Sequence, residues 1–147
     1  MGILRNLSHP YVARLEALYE SHNSIYMILE LLPRTLLTHL QKFGFPPLHV
    51  CMDILFKLAL GVRYLHAQGI MHRDLKLENI MVRAEGSRID PVIIDFGLAR
   101  HDTGAFNARC GTSGYIAPEV IGCRSSDSQP YTRKCDIFSL GAIYFIM

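Results

Sequence analysis

Eight consecutive positions, His72-Arg73-Asp74-Leu75-Lys76-Leu77-Glu78-Asn79, form the densest polar cluster of this 147-residue chain. Asp95-Phe96-Gly97 follows, 21 residues beyond Asp74. A carboxylate beside an amide oxygen, as Asp95 and Asn79 offer, is a hard-oxygen set suited to Mg²⁺. That ion takes few protein ligands and completes its shell with phosphate oxygens and water. Asp74 is placed to accept a hydroxyl proton nearby, and Lys76 adds positive charge for a phosphoryl group in transfer. One such residue alone would read as a charged loop turned to solvent. Asp, Lys, Asn and a second Asp at these offsets point instead to phosphoryl transfer.

For that chemistry to work, the flanking elements must bring the two clusters together. Ile80-Met81-Val82 and Val92-Ile93-Ile94 are short apolar runs separated by a polar, turn-rich stretch over 83–91. They read as a hairpin, whose closure sets Asn79, before its first strand, beside Asp95, after its second. Upstream, Cys51, Ile54, Leu55, Leu58, Val62 and Leu65 recur at steps of three and four, which predicts one long helix from Pro46-Pro47 to Gly69. Thr35 caps a shorter helix over 36–42 that Gly44 closes. Tyr11–Glu20 and Ile25–Leu31, split by Ser21-His22-Asn23-Ser24, predict an antiparallel strand pair, and residues 1–9 the tail of a helix broken at His9-Pro10. From Arg100 to Arg133 the only expected element is a short helix at 117–122; so long an irregular stretch suggests function. Cys135 to Met147 predicts a buried helix.

Composition narrows the class. Half of the residues are hydrophobic and 19% are charged, which excludes a disordered chain. A mean hydropathy of +0.18 is high for a complete soluble domain and fits a piece cut from a larger core. The net charge of +2 gives no footprint for nucleic acid. No apolar run reaches the length of a membrane span. Cys51, Cys110, Cys123 and Cys135 show no zinc spacing and read as reduced thiols of a cytoplasmic protein, with a nuclear one not distinguished.

At this point the sequence resembles a family. His72-Arg73-Asp74-Leu75-Lys76-x-x-Asn79, Asp95-Phe96-Gly97 and Ala117-Pro118-Glu119 are similar to the catalytic loop, the metal-binding motif and the end of the activation segment of eukaryotic protein kinases. The resemblance runs over essentially the whole chain, from the end of the αC helix to the middle of the αF helix. It implies an α+β fold, mostly the helical large lobe with a hinge and a remnant of the small lobe. The expected division is 1–29 for the small-lobe remnant, 30–34 for the hinge and 35–147 for the truncated large lobe.

The resemblance also implies roles. Asp74 is expected to be the catalytic base and Lys76 to contact the γ-phosphate of ATP, while Asn79 and Asp95 hold Mg²⁺. Leu29 is expected before a hinge at Glu30-Leu31-Leu32 that pairs with adenine, and Met81 beneath the ring. Arg73 is expected to read a phosphate in the activation segment. The usual acceptor position there is Ala108, which leaves Thr103 as the candidate. Thr112 is expected to bond Asp74 and Lys76, with Tyr115 in the same substrate-binding loop and Glu78 favouring a basic residue upstream of the target. His72, Phe96, Leu15 and Leu4 are expected to stack, and Asp136 to tie its helix to the catalytic loop. Lys76 and the Gly111–Tyr115 run resemble the serine/threonine type, and the style of the activation segment resembles the calcium/calmodulin-dependent group. The partners implied are protein substrates; nothing in the residues speaks for calmodulin itself. Three family features have no counterpart: a G-x-G-x-x-G loop, a strand lysine before the hinge and an αC glutamate. The resemblance therefore predicts the 147-residue chain alone to be inactive or barely active, with apolar surfaces exposed where family parts lack counterparts.

Overall fold

The structure is a computed structural model that describes residues 3–85, 88–103, 108–123 and 130–147. A short 3-10 helix, Ile3–Asn6, stands where the tail of a helix was expected. The strand pair forms as predicted, with β1 (Leu15–Glu20) antiparallel to β2 (Ile25–Leu29) and a shift of register between Leu15 and Ala17. The segment leading into β1 stitches this pair to the rest of the molecule. Ile93 N–H donates to Tyr11 O (2.9 Å), and Ala13 N–H donates to Ile93 O (2.8 Å).

Beyond β3 (Arg34–Thr35), α1 (Leu36–Phe43) begins at Thr35, whose hydroxyl accepts from Thr38 N–H at 3.1 Å and satisfies one of the open amides of the first turn. The long helix, α2, runs over Leu48–Ala67. Its predicted stripe is the one that is buried: Cys51, Ile54, Leu58, Val62 and Leu65 are covered, and Leu55 is half-covered. Ile54, Leu58, Val62 and Leu65 of this stripe share one core with residues of α1, the loop after β4 (Ile70–Met71), β5 (Ile80–Glu85), β6 (Arg88–Ile93) and α4 (Lys134–Ile146). α2 comes close enough to the β6 region that a Cβ at Gly61 would lie 3.0 Å from Ile93 Cδ1 and 3.1 Å from Tyr11 O. A side chain there would force helix and strand apart.

Two differences from expectation concern strands. The polar stretch after Val82 is not a loop: the hairpin ladder continues through Arg83↔Asp90 and Ala84↔Ile89 to Glu85↔Arg88. In the sheet order β3-β5-β6, β6 lies at an edge, so Pro91 can sit in it without removing an inner ladder bond. Its charges are paired as well. The largely buried Lys57 of α2 bonds Asp90 at 2.8 Å, Asp53, and the Ile89 carbonyl at 3.2 Å. Burial alone would lower the Lys57 pKa, but these partners outweigh it and raise it. The second difference is a two-residue ladder between β4 and β7 (Arg100–His101), inside the stretch read as irregular. The short helix expected at 117–122 is α3, Pro118–Ile121.

Candidate active site

The loop after β4 is held from below by one carboxylate. Asp136, in the first turn of α4 and fully buried, accepts from His72 N–H (2.9 Å), Arg73 N–H (2.8 Å) and His66 Nε2 (2.8 Å). This anchor fixes Arg73 at φ +68°, a left-handed conformation that such a side chain adopts only when its surroundings impose it. His72 is buried and neutral in character. Nε2–H donates to Ile94 O (3.0 Å), and Nδ1 accepts from Asp74 N–H (3.3 Å). Burial is the main reason its pKa is lowered. The Phe96 ring meets its edge at 5.1 Å, and Leu4 belongs to the same core.

Around Asp74 three side chains converge. Its Oδ1 accepts from Thr112 Oγ1 (2.7 Å), and its Oδ2 accepts from Asn79 Nδ2 (3.0 Å) and faces Lys76 Nζ (3.1 Å). Lys76 Nζ also donates to Thr112 Oγ1 at 2.7 Å, which closes a ring. Partial burial would raise the Asp74 pKa, but the bonds from Thr112, Lys76 and Asn79 outweigh it and hold the carboxyl below its ordinary value. Asp74 is therefore an anion at neutral pH.

The hairpin brings Asn79 and Asp95 together as expected: Ile94 N–H donates to Asn79 O at 2.9 Å, and Ile80 faces Ile93 in the ladder. The Asn79 side chain donates from Nδ2 to Asp74 O (2.9 Å) and Asp74 Oδ2 (3.0 Å), and among the described residues its Oδ1 accepts nothing. Asp95 stands at φ +59° with Oδ1 accepting from Gly97 N–H (3.1 Å), and its Oδ2 accepts from none of the described residues. Two hard oxygens without protein donors, on adjacent strand ends, fit a divalent ion that brings its own water and phosphate ligands. No group of three His, Cys, Asp or Glu side chains suited to a metal occurs among the described residues.

Above this floor, Ala13, Leu32 and Val92 are buried with Met81 and Ile94 against them, an apolar seat beside the Glu30–Leu32 turn. Glu30 turns its carboxylate inward, to Arg14 N–H (3.0 Å) and to the Arg83 guanidinium. Its carbonyl and the Leu32 amide make no hydrogen bond among the described residues. Leu29 lines a cavity of about 630 Å³ that Met27, Ala13, Leu4, Asp95 and Phe96 also border.

Of the activation-segment candidates, the structure brings Thr112 to Asp74 and sets Tyr115 half-buried over Ser139, whose hydroxyl donates to Tyr115 O (2.7 Å). Burial, then Glu78, raises the Tyr115 pKa; Glu78 itself is exposed. Thr103 is exposed and makes no hydrogen bond among the described residues. Arg73 donates from Nε to Leu98 O (2.8 Å) and from Nη1 to Tyr131 OH (2.9 Å). Tyr131 was missed by sequence reasoning, and no periodicity marks it.

The model of the protein kinase domain matches residues 1–147. The chain belongs to the protein kinase family. Its curated relatives include proteins named as serine/threonine-protein kinases and others named as calcium/calmodulin-dependent protein kinases. "Probable serine/threonine-protein kinase 2" of Plasmodium falciparum is 37% identical over 145 residues, 97% of this chain and 28% of that protein. "Calcium/calmodulin-dependent protein kinase type 1" of Macrobrachium nipponense is 34% identical over 99% of this chain and 41% of its own length. "Serine/threonine-protein kinase 33" of Mus musculus is 34% identical over all of this chain and 31% of its own. The kinase chain thus spans well under half the length of these relatives. Its α+β content fits the kinase domain.

Proposed function

We propose that this chain carries the floor of an ATP-dependent protein serine/threonine kinase site. The observation that carries the reading is the convergence of Asp74, Lys76, Asn79 and Thr112, with the open oxygens of Asn79 and Asp95 beside it. Asp74 orients the incoming hydroxyl and takes its proton. Because it is held as a weak base, it does so late, when the new oxygen–phosphorus bond is largely formed. Lys76 balances charge on the phosphoryl oxygens, and Thr112 keeps both side chains in register. Asn79 and Asp95 would hold Mg²⁺, which supplies charge neutralisation on the nucleotide phosphates when bound. The free carbonyl of Glu30 and amide of Leu32 would read adenine edges, with Met81 and Leu29 shaping the seat. In this reading 1–29 contribute to a small lobe, 30–34 are the hinge and 35–147 belong to the large lobe. Protein hydroxyls are the substrates, and the cytoplasm, where the four free thiols stay reduced, is the proposed location. Calmodulin dependence belongs to the relatives named for it and forms no part of the proposal.

The test is transfer of labelled phosphate from ATP to a basic serine peptide by the full-length polypeptide that contains this chain. Asp74→Ala is expected to abolish transfer; unchanged turnover would end the reading. A second reading, a binding module without turnover, is supported by one feature. The resemblance puts a lysine for the α- and β-phosphates on a strand before the hinge, and all four lysines, Lys42, Lys57, Lys76 and Lys134, come after it. It predicts nucleotide or partner binding with no transfer, even in the full-length polypeptide.

A further inference from the structure

The Tyr131 hydroxyl joins three segments far apart in sequence. It accepts from Arg73 Nη1 (2.9 Å), donates to Ala108 O (2.9 Å) and lies 3.5 Å from Cys110 Sγ. The ring is buried in the cluster formed by α3 and the start of α4, so the hydroxyl is fixed by the core. Two residues past Cys110 stands Thr112, bonded to both Asp74 and Lys76. Between them, Gly111 at φ +104° lies so close to Arg73 that a Cβ there would be 2.9 Å from the Arg73 carbonyl.

From this geometry we infer that Tyr131 is a positioning residue that clamps the stretch 108–112 onto the catalytic loop through Arg73, and so sets Thr112 on Asp74. The clamp uses a neutral hydroxyl. Burial and the neighbouring Cys110 push the Tyr131 phenol up to about 12, so it keeps the proton it donates to Ala108. The segment is thereby seated through Ala108 itself, at the position where the family resemblance would put a phosphorylated side chain. The effect on turnover rests on the phosphotransfer reading of Asp74; the clamp does not.

Tyr131→Phe in the full-length polypeptide separates the two. The clamp predicts at least tenfold faster tryptic cleavage after Arg109, which is exposed, relative to the other sites. It also predicts about tenfold lower kcat with an unchanged KM for ATP. Cleavage at the wild-type rate, or faster cleavage with unaltered kcat in an active enzyme, would overturn it. A wild-type polypeptide with no transfer, but with Arg109 protected only when Tyr131 is present, refutes the phosphotransfer reading and supports the clamp. Should the Phe variant lose its folded circular dichroism, amide exchange of the wild type decides. Residues 109–112 are expected to exchange as slowly as 73–79; exchange at the rate of free peptide would overturn the clamp.

Discussion

At the scale of single residues, the site is a contest between burial and hydrogen bonding, and at Asp74 hydrogen bonding wins. The depressed pKa has a direct consequence for stability. A carboxyl whose folded pKa lies below its unfolded value stabilises the fold at all pH above the unfolded value, and that contribution is lost as pH falls through the folded one. The melting temperatures of wild type and Asp74→Asn are therefore expected to differ most at neutral pH and to converge below about pH 4. A gap that stays constant between pH 7 and pH 3 would contradict the network. Thr112→Val keeps the shape and removes the hydroxyl that bridges Asp74 and Lys76. Roughly tenfold slower phosphopeptide formation is expected, the scale of losing one hydrogen bond to a charged group, with nucleotide affinity unchanged by fluorescence titration.

At the scale of elements, α4 matters for one side chain as much as for its apolar face. Asp136→Ala would leave His72 N–H, Arg73 N–H and His66 Nε2 without their acceptor in a buried place. Urea unfolding is expected to register a loss on the order of 3 kcal/mol or more, since each such bond to a charged group is worth about 1.5–3 kcal/mol. What the sequence made legible at this scale follows physical signals of short range. The stripe from Cys51 to Leu65, the cap at Thr35 and the β-branched hairpin runs are local patterns, and each lies where the pattern put it. The extension of the hairpin through Arg83–Asp90 was illegible because its polar residues find partners distant in sequence, Asp90 in Lys57 and Arg83 in Glu30. The β4–β7 ladder was hidden for the same reason: two residues carry no period, and their pairing is purely tertiary. Within the site, Asp74, Asn79 and Asp95 stood out by type and offset. Tyr131 and the open oxygen of Asn79 depend on distances that no spacing encodes.

At the scale of the whole molecule, apolar surface is the dominant fact. The accessible area is 8638 Å², about 1000 Å² above the roughly 7600 Å² of a compact monomer of this mass. All five residues of β2 are exposed, and so are Ile137, Phe138, Tyr144, Phe145 and Ile146 on α4. Patches of this kind drive association. Phe145 is 91% exposed, so Phe145→Ser is expected to lower light scattering of the isolated chain while changing its unfolding free energy by less than about 0.5 kcal/mol. A large destabilisation instead would mean that Phe145 is packed. The anchoring carboxylate of Asp136 carries a consequence for biosynthesis. It lies 64 positions after His72, and a ribosome adding roughly 5–20 residues per second needs about 3–13 s to cover that distance. Throughout that interval the nascent loop has only water for its two amides, so it hardens late, and codons that slow translation between these positions would lengthen the time it stays open to chaperones and proteases.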